Sequence, residues 1–422
     1  MRPIVYVTTA FPTQTFFLEN EVHRLLARGI DVRVYRLRGR GRNVQPEHRS
    51  LERITVSVGS PLDPRSWLDL LVWLARKPHV LIPEVARVLW ASRSSLYAMV
   101  GHLGYLPATA RVASRVERDR VGRLHAGWAH FPGTVAYLAS RLTGARFSMT
   151  AHAGSDLYRT QAFLAPKVRA ADFVTACVRG NADMLRRMGG PGARVEWLYH
   201  GVDRTRFDGS GRARRPRPLL LTVGRLHAGK GYDVALRVLA AVRAAGHDAR
   251  LVLVGEGPEG PPLRKLAAGL GVATHAEFRG ALAQRDIMPL YREAWLLLAP
   301  CRVLANGRRD GIPNVIVEAM AMGLPCAGTR AAGLEEAIVD GVTGTLTPQD
   351  DVEAMTAAVL PLLADPTRID RMGEQARAVV RDDFDVERNF QRLLELFQTD
   401  GAAAAVASAE TPATGTDPGV SR

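Results

Sequence analysis

The chain has 422 residues, of which 47% are hydrophobic and 23% are charged. These fractions are close to globular averages and disfavour a disordered chain, a collagen-like repeat and a polytopic membrane protein. The length predicts two domains or one large one. The net charge is +14, and four of the 56 basic residues are lysines, so 52 are arginines. The excess charge favours an anionic partner: a phosphorylated small molecule, nucleic acid or an anionic membrane face.

The cysteines and the N-terminus indicate a cytoplasmic protein. Cys177, Cys301 and Cys326 form no CxxC pair and no zinc-ligand spacing with histidine, which disfavours a disulfide framework and a structural zinc site. The opening MRPIVYVTT leads directly into a strand pattern without the features of a signal peptide. No apolar run approaches the roughly 18 residues that a membrane-spanning helix requires.

Short β-branched segments alternate with longer Ala-, Leu- and Arg-rich segments of helical period, which indicates βα units around parallel sheets. The polar, Gly- and Pro-containing segment 204–218 predicts a linker between two such series. The sequence therefore predicts an α/β protein with two similar domains, 1–203 and 219–384, and a shared cleft. The predicted strands are 3–8, 31–37, 146–150, 173–176 and 195–199 in the first domain, and 219–224, 249–255, 275–280 and 294–300 in the second.

The C-terminal part is predicted to contain a helix and then a tail. Segment 385–398 has apolar residues at offsets of 3, 4 and 7, as in an amphipathic helix, and we expect this helix to pack back on the first domain. The acidic triplet 383–385 is a DxD motif, which we interpret as a cap at the start of this helix. Residues 400–422 are of low complexity and predict a disordered tail.

Residues 61–120 combine Trp67, Trp73 and Trp90 with leucine, valine and arginine in a helical pattern. One interpretation is a membrane-facing element, whose apolar faces enter the headgroup region while its arginines meet anionic lipid. The other, which we favour, is a set of helices packed on the first domain, because amphipathic helices usually bury against their own fold. Both interpretations hold if these helices pack on the first domain and leave one side exposed to the membrane surface.

The segment 308–325, RRDGIPNVIVEAMAMGLP, predicts a helix over 313–322, because proline suits a first turn and Gly-Leu-Pro follows the end. A helix N-terminus can bind a diphosphate, and Asp310 and Glu318 can hold hydroxyl groups on either side. The alternative is an ordinary capped helix with Asp310 near its positive end.

The segment 219–236, LLLTVGRLHAGKGYDVAL, places Arg225 and Lys230 at the carboxyl end of a strand, where open α/β sheets bind ligands. Lys230 is the more informative of the two, because this chain uses arginine at nearly every basic position. Both cations could offset charge that develops on a leaving diphosphate. An incidental lysine is the alternative.

Two histidines follow predicted strands of the first domain. His152, in AHAGSDLY, lies at a strand's carboxyl end and faces the predicted cleft, although a lone histidine is more often structural. His200 and Asp203, in LYHGVDRTRF, lie at the domain junction, which favours a structural role.

Together, the motifs GRLHAGKG, LVGEGPE, FRGAL, DGIPNVIVEAMAMGLP, AHAGSD, YHGVD and FDVERNF resemble those of the family 4 retaining glycosyltransferases. The resemblance covers nearly all of 1–398 and implies the GT-B fold, in which two Rossmann-like domains with parallel sheets face a central cleft. The first domain would bind the acceptor and the second the nucleotide sugar. Segments of the first domain resemble, more narrowly, bacterial enzymes that build exopolysaccharide and other cell-surface glycans.

The resemblance implies roles for individual residues. Arg225 and Lys230 would hold the donor diphosphate, Glu318 would bind the ribose hydroxyls, and His152 would face the donor sugar. The family motif has two glutamates separated by seven residues, and in this chain Asp310 and Glu318 stand at these two positions. Asp310 is one methylene shorter than the glutamate it replaces. The resemblance implies that His152, Arg225, Lys230 and Asp310 are the catalytic residues. The other donor-side residues implied are Gly224, Gly255, Gly257, Gly280, Gly311, Ile312, Pro313 and Asn314. The acceptor-side residues implied are Phe11, Thr15, Glu21 and His130.

The resemblance implies retaining transfer of a hexose from a nucleoside diphosphate sugar to a glycan, lipid-linked or small-molecule acceptor in cell-surface polysaccharide biosynthesis. It implies no metal ion and no other cofactor. The partners would be the nucleotide sugar, the acceptor and an anionic membrane surface, with the protein on the inner face of the membrane. Nucleic acid is disfavoured, because the arginines of 33–43 lack the interleaved aromatic residues of a base-stacking surface.

Two alternatives remain open. A sugar-nucleotide-binding protein with little or no turnover is compatible with aspartate at position 310. An NAD-dependent oxidoreductase would explain GEGPEG at 255–260, which matches G-x-G-x-x-G after a strand and has Glu277 further along. Against this, Pro261 and Pro262 follow where a long helix should already be under way.

Overall fold

The computed structural model describes residues 2–13, 17–39, 46–58, 63–154, 156–331 and 333–409. In the first domain, a 3-10 helix spans Pro46–Ile54. The strands of this domain are β1 (Ile4–Thr8), β2 (Val32–Arg36), β3 (Thr55–Ser57), β4 (Arg123–Ala126), β5 (Arg146–Ala151), β6 (Val174–Ala176) and β7 (Val195–Trp197). Its helices are α1 (Phe17–Ala27), α2 (Pro64–Arg76), α3 (Pro78–Ser92), α4 (Leu96–Gly104), α5 (Leu106–Arg118), α6 (Phe131–Thr143), α7 (Leu164–Ala170) and α8 (Arg179–Gly189).

The second domain repeats this architecture, with a short 3-10 helix at Ala228–Lys230. Its strands are β8 (Leu219–Val223), β9 (Arg250–Val254), β10 (Ala276–Phe278), β11 (Leu296–Ala299), β12 (Cys326–Thr329) and β13 (Gly344–Thr347). The helices that follow its strands are α9 (Tyr232–Ala244), α10 (Gly260–Gly269), α11 (Gln284–Glu293), α12 (Asn314–Ala321), α13 (Leu334–Ala337), α14 (Val352–Ala364) and α15 (Pro366–Asp383). A last helix, α16, spans Val386–Ala409.

Each domain has a parallel sheet with a central strand order that reverses direction, as in doubly wound folds. The first sheet has the order β3-β2-β1-β4-β5-β6-β7 and the second β10-β9-β8-β11-β12-β13. The predicted α/β class with two parallel sheets is therefore confirmed. The sequence pattern does not reveal β3, β4, β12 or β13, because segments such as RLHA and CAGT are short and poor in β-branched residues. Burial between neighbouring strands makes them extended.

The chain crosses between the domains twice, and the second crossing returns it to the first domain. At the crossing, Val202 N–H donates to Phe384 O at 2.8 Å, and a Cβ on Gly201 would lie 2.1 Å from the Cα of Val386. Helix α16 then packs Phe390, Leu393, Leu394, Leu396 and Phe397 into the core around β1. Asp385 Oδ1 accepts the N–H groups of Glu387 and Arg388, so the DxD segment is a helix cap, as predicted.

The tail differs from the sequence expectation, and the segment predicted as a linker is anchored to the second domain. Helix α16 continues to Ala409, so the backbone of 400–409 is helical where a disordered tail is predicted, and the alanines of this segment have high helix propensity. Residues 410–422 lie outside the described part of the chain. The segment 204–218 contains no helix or strand, but Arg212 anchors it by donating to Gly323 O and to Ala294 O.

Helices α2 to α4 form a layer on the first domain. Trp73 is fully buried and its indole N–H donates to Ser114 Oγ at 3.0 Å. The outer side of the same layer is apolar: of 13 large hydrophobic side chains exposed in the described residues, 11 lie between positions 67 and 103. Among the described residues, no helix is both long enough and apolar enough to cross a bilayer.

Buried neutral histidines in the first domain predict an acid-sensitive fold. His125 is fully buried between Ser148 Oγ and Thr150 Oγ1, at 2.9 and 3.0 Å. Burial and the charge of Arg123 lower the pKa of His125 to about 3. The unfolded chain binds a proton here below about pH 6.5 but the folded chain does not, so the free energy of unfolding decreases as the pH falls from 6.5 toward 3.

We therefore expect His125 to contribute about 1 kcal/mol to the stability lost between about pH 7 and about pH 5.5. Urea unfolding of wild type and His125→Asn at the two pH values measures this contribution. The variant is less stable than wild type at neutral pH but should lose about 1 kcal/mol less on acidification, whereas the exposed-site control His79→Gln should follow wild type. An equal loss in His125→Asn and wild type would show that His125 is not buried as a neutral imidazole.

Candidate active site

A cavity of about 500 Å³ lies between the two sheets. It is walled by loops that follow strands of both domains, the position at which open α/β sheets bind ligands. Five cationic side chains and one carboxylate line it, so it favours an anionic ligand. The lining residues are Phe17, Trp128, His152, Ala153, Gly154, Cys177, His200, Arg225, His227, Gly229, Lys230, Arg302, Leu304, Arg308, Arg309, Asp310, Gly311, Ile312, Pro313 and Asn314.

The turn after β8 supplies the predicted cations Arg225 and Lys230 to the cavity wall. Lys230 Nζ lies 3.0 Å from Asp310 Oδ2, and the lysine side chain is 13% exposed. Burial lowers the pKa of Lys230, but the Asp310 carboxylate outweighs it and raises the pKa above its usual value. Gly231 follows at φ +65°, where a Cβ would lie 1.9 Å from Pro300 O, so only glycine lets the chain turn into α9.

Helix α12 directs its N-terminus at the same cavity. It begins at Asn314, directly after Pro313, and ends at Ala321, within the predicted span. Residues 311–314 all line the cavity. The N–H groups of the first turn are therefore free to bind an anion in the cavity, with Asp310 and Lys230 beside them.

Glu318 lies one turn further along α12, on an adjoining cavity of about 50 Å³ that shares Asn314 with the main one. Its Oε1 accepts a hydrogen bond from Gln284 Nε2 at 2.8 Å and its Oε2 one from Tyr291 Oη at 2.9 Å. Burial raises the pKa of Glu318 above its usual value, although both hydrogen bonds oppose this. Binding of ribose hydroxyls by Glu318 stays a prediction.

On the opposite wall, His152 and His200 form a hydrogen-bonded pair. His152 Nε2 lies 2.9 Å from Gly127 O, which makes this nitrogen a donor, and His152 Nδ1 lies 3.1 Å from His200 Nε2. Phe17 stacks on His200 at a centroid distance of 4.4 Å, and Trp128 contacts His152 at 4.3 Å. Burial lowers the pKa of both histidines. His200 thus belongs to the cavity wall and contacts His152, whereas the sequence favours a structural role.

Behind His152, the buried carboxylate of Asp156 ties two loops of the first domain together. It accepts the N–H groups of Ala129, His130 and His152 at 3.1, 2.8 and 2.8 Å. His130 Nδ1 lies 2.7 Å from the same carboxylate. Burial raises the pKa of Asp156, but these hydrogen bonds and the His130 ring outweigh burial and lower the pKa below its usual value. Asp156 thereby holds His152 in position, a role that the sequence does not reveal.

The predicted acceptor-side residues do not cluster on the main cavity. Phe11 is fully buried in the core that includes β1. Glu21 lines a separate cavity of about 30 Å³ next to α16, where burial raises its pKa to about 8. His130 faces Asp156, as described above. Thr15 lies outside the described residues. An acceptor role for these four residues remains a prediction.

Glycines of the second domain allow close packing of its loops. A Cβ on Gly255 would lie 1.9 Å from Gly224 O, and one on Gly257 would lie 2.2 Å from Leu226 O. Both glycines have positive φ, near +141° and +159°. They let the loop after β9 press against the loop that carries Arg225, so a structural requirement accounts for the G-x-G pattern behind the oxidoreductase alternative. Gly280 has φ +68° and its carbonyl accepts the N–H of Gly255.

Several cavity residues carry no individual sequence signal. Trp128 follows β4, a strand that the pattern does not reveal, and Arg302, Arg308 and Arg309 cannot be distinguished from the many other arginines by residue type. Arg302 is paired with the carboxylates of Asp233 and Asp350, at 3.1 and 2.6 Å. Their common location becomes apparent only from the tertiary structure.

The two walls touch beside the cavity. Gly154 N–H donates to Arg309 O at 2.8 Å. Glu336 of the second domain accepts the N–H groups of Arg179 and Gly180, the first residues of α8, at 2.7 and 3.1 Å. A carboxylate at a helix N-terminus is favourable there, so these contacts hold the domains together around the cavity.

Known structures share this two-domain architecture. The structure of Anabaena HepE in complex with UDP superposes on this chain with a TM-score of 0.70 at 17% identity. The match covers 94% of this chain and all of the HepE chain. The sucrose-phosphate synthase of Thermosynechococcus elongatus superposes with a TM-score of 0.70 at 19% identity, over 96% of this chain and all of that one. The fold is the GT-B fold of glycosyltransferases.

The sequence comparisons agree with the fold. Residues 217–365 match the family model for glycosyl transferases group 1. A GDP-mannose-dependent α-(1-6)-phosphatidylinositol monomannoside mannosyltransferase of Mycolicibacterium smegmatis is 35% identical over 236 residues, which is 54% of this chain and 62% of that protein. The enzyme of the same name from Mycobacterium tuberculosis is 29% identical over 74% of this chain and 86% of its own length. The match to group 1 glycosyltransferases thus lies in the second domain, and these relatives agree with the resemblance to family 4 glycosyltransferases.

Proposed function

We propose that the protein transfers a hexose from a nucleoside diphosphate sugar to a glycan or lipid-linked acceptor, with retention of configuration at the anomeric carbon. The observation that carries this proposal is one cavity bordered by Lys230 with Asp310, by the N-terminus of α12 and, from the other domain, by His152. A diphosphate needs positive charge and N–H donors, and a sugar next to it needs hydrogen-bonding groups. Both are present on facing walls.

In the proposed reaction, the bond between the anomeric carbon and the β-phosphate oxygen breaks while the acceptor oxygen bonds to the same carbon. The acceptor attacks from the face that the diphosphate leaves, so the configuration is retained without a protein nucleophile. The acceptor proton passes to the departing phosphate oxygen, so no protein base is needed. Lys230 and Arg225 offset the negative charge that grows on the diphosphate. His152, whose ring is held by Gly127 O and whose backbone N–H is held by Asp156, faces the sugar as a neutral imidazole, because burial lowers its pKa.

The names of the mycobacterial relatives support GDP-mannose as the first donor to test, and the UDP in the HepE structure supports UDP-sugars as the next. The purified chain should release nucleoside diphosphate from one donor of such a panel when lipid-linked or glycan acceptors are supplied. NMR of the product should show the anomeric configuration of the donor. Inverted product would contradict the retaining mechanism.

The alternative is a protein that binds sugar nucleotides with little turnover. The ion pair between Lys230 and Asp310 favours this alternative, because each of these two predicted catalytic groups is bound to the other and not to the substrate. Saturable binding of a nucleoside diphosphate sugar, with no diphosphate released for any acceptor in the panel, would favour this alternative over transfer.

We further propose that the protein associates with the inner face of the cell membrane through the outer side of α2, α3 and α4. Trp90 is 70% exposed, Leu71 63% and Leu96 71%, and Arg93 lies over the Trp90 ring with its Cζ 4.4 Å from the centroid. Apolar side chains flanked by arginine suit the headgroup region of an anionic bilayer. The excess positive charge of the chain also supports this proposal.

We expect the wild-type protein to float with liposomes that contain anionic lipid, and the triple variant Leu68→Glu/Leu71→Glu/Trp90→Glu to remain unbound. Each buried side chain of this size contributes about 1.5–3 kcal/mol, so binding should weaken by at least about a hundredfold. The matched control is Val339→Glu, an exposed apolar residue of the second domain. Equal flotation of all three proteins would contradict membrane association through this surface.

A further inference from the structure

Three side chains that commonly bind transition metals, two histidines and one cysteine, meet on the first-domain wall of the cavity. His152 follows β5, Cys177 follows β6 and His200 follows β7, and these three strands are neighbours in the sheet. Because parallel strands all end at one edge, residues far apart in sequence come together there. One ligand atom from each residue, an imidazole nitrogen or the thiol sulfur, lies within 4.8 Å of the other two. We refer to these residues as the His-Cys-His cluster.

We propose that the His-Cys-His cluster binds a soft or borderline divalent transition ion such as Zn²⁺, and that the bound ion inhibits sugar transfer. Two imidazoles and one thiolate form a ligand set that zinc favours. The cluster differs from a metal site required for catalysis, since the predicted reaction proceeds without metal.

The geometry is close to that of a tetrahedral site. In such a site the ligand atoms lie about 3.5 Å apart, given metal–ligand bonds of about 2.0–2.3 Å. His152 Nδ1 and His200 Nε2 are already 3.1 Å apart. All separations in the cluster are at most 4.8 Å, so an ion would need to draw the ligand atoms together by at most about 1 Å.

The protonation states of the two histidines also suit a metal ion, whereas burial raises the pKa of the Cys177 thiol to about 12, so the ion has to displace the thiol proton. His152 Nε2 donates to Gly127 O, so in the neutral ring His152 Nδ1 carries a free electron pair directed at His200. On metal binding, the proton of His200 moves from Nε2 to Nδ1, and the Cys177 thiol releases its proton to solvent. The hydrogen bond of His152 to a backbone carbonyl then acts as the outer contact that typically orients a metal-bound histidine.

The location explains the expected inhibition. His152, Cys177 and His200 all line the main cavity, and three protein ligands leave one coordination position of the metal open toward it. A dication there takes the lone pair of His152 and can capture a phosphate oxygen or a sugar hydroxyl in an unproductive position. This half of the inference rests on the proposed transferase activity, whereas metal binding itself does not.

Metal binding is tested on the untagged, metal-free chain by competition between the protein and a chromophoric zinc chelator. We expect one Zn²⁺ per chain, bound at least about tenfold more weakly by Cys177→Ser and by His200→Gln, because even the loss of an outer contact costs about 10- to 100-fold in affinity. The control is His23→Gln, which alters another histidine pair, His23 and His48, with ring centroids 5.8 Å apart. Circular dichroism checks that each variant is folded.

Co²⁺ provides an independent spectroscopic signature. Wild type loaded with Co²⁺ should show thiolate-to-cobalt charge transfer that disappears in Cys177→Ser and persists in His23→Gln. Absence of saturable Zn²⁺ binding, or binding of equal strength in the wild type and the two cluster variants, would overturn the inference.

Inhibition is measured separately, as diphosphate release with and without Zn²⁺, each protein being normalised to its own metal-free rate. Zn²⁺ should inhibit wild type, a chelator should restore the rate, and Cys177→Ser should resist. Binding without inhibition would overturn the inhibitory role alone. If no donor supports turnover, the proposed function fails, while the binding and Co²⁺ measurements still decide whether the metal site exists.

Discussion

Replacing Lys230 by alanine is expected to lower the rate of sugar transfer by about 10²- to 10³-fold. The reason is that a preorganised charge or donor at the site of developing negative charge contributes about 3–4 kcal/mol to lowering the barrier. Lys230 is suited to this role because its side chain is only 13% exposed at the cavity wall and its raised pKa keeps it charged. Steady-state release of nucleoside diphosphate from the active donor measures the effect.

Two matched variants separate the charge of Lys230 from its shape. Lys230→Arg retains the charge, and because its broad guanidinium fits the compact site less well, we expect it to be intermediate between wild type and Lys230→Ala. Asp310→Asn removes the ion-pair partner with little change of shape, and comparison with Asp310→Glu tests the missing methylene. Wild-type rates in Lys230→Ala would contradict the assignment of Lys230 to the diphosphate site.

The second large effect is expected at Glu318. Glu318→Gln should lose most transfer activity, by about a hundredfold, if the carboxylate binds ribose hydroxyls through charge-assisted hydrogen bonds. Glu318→Ala should in addition destabilise the fold by about 2–4 kcal/mol, because it leaves the buried donors of Gln284 and Tyr291 without their acceptor.

Urea unfolding and donor-binding titrations distinguish these two roles of Glu318. Tyr291→Phe is the matched control, since it removes one buried hydrogen bond to Glu318 and leaves the carboxylate in place. It should lose stability while retaining most of the donor affinity. If Glu318→Gln bound the donor as tightly as wild type, Glu318 would be a structural residue rather than part of the donor site.

Motifs that are continuous in sequence predicted much of the second-domain wall. The glycine-lysine turn and the start of α12 depend on local rules, such as proline directly before the first helical residue and glycine at positive φ, so their positions follow from neighbouring residues. The scarcity of lysine also identified Lys230, whereas Arg308 and Arg309 could not be distinguished from the many other arginines.

The first-domain wall was harder to predict, because its residues act through contacts between separate strands. His200 was interpreted as structural from its place at the domain junction, and the cysteine count offered no reason to connect Cys177 with histidine. Asp156 gave no sign that it binds three backbone N–H groups from two loops. These relations depend on strand order, which sequence periodicity does not encode.

By itself, the sequence determined the α/β class, the division into two domains, the family resemblance and the local shape of the turn that carries Lys230 and of helix α12, because each depends on periodicity or on residues close in the chain. Only the tertiary structure decided that Lys230 pairs with Asp310, that Glu318 is buried against Gln284 and Tyr291, and that His152, Cys177 and His200 meet. The physical reason is that a parallel sheet brings the ends of non-consecutive strands to one edge, so the composition of that edge is set by strand order and domain closure rather than by any local pattern.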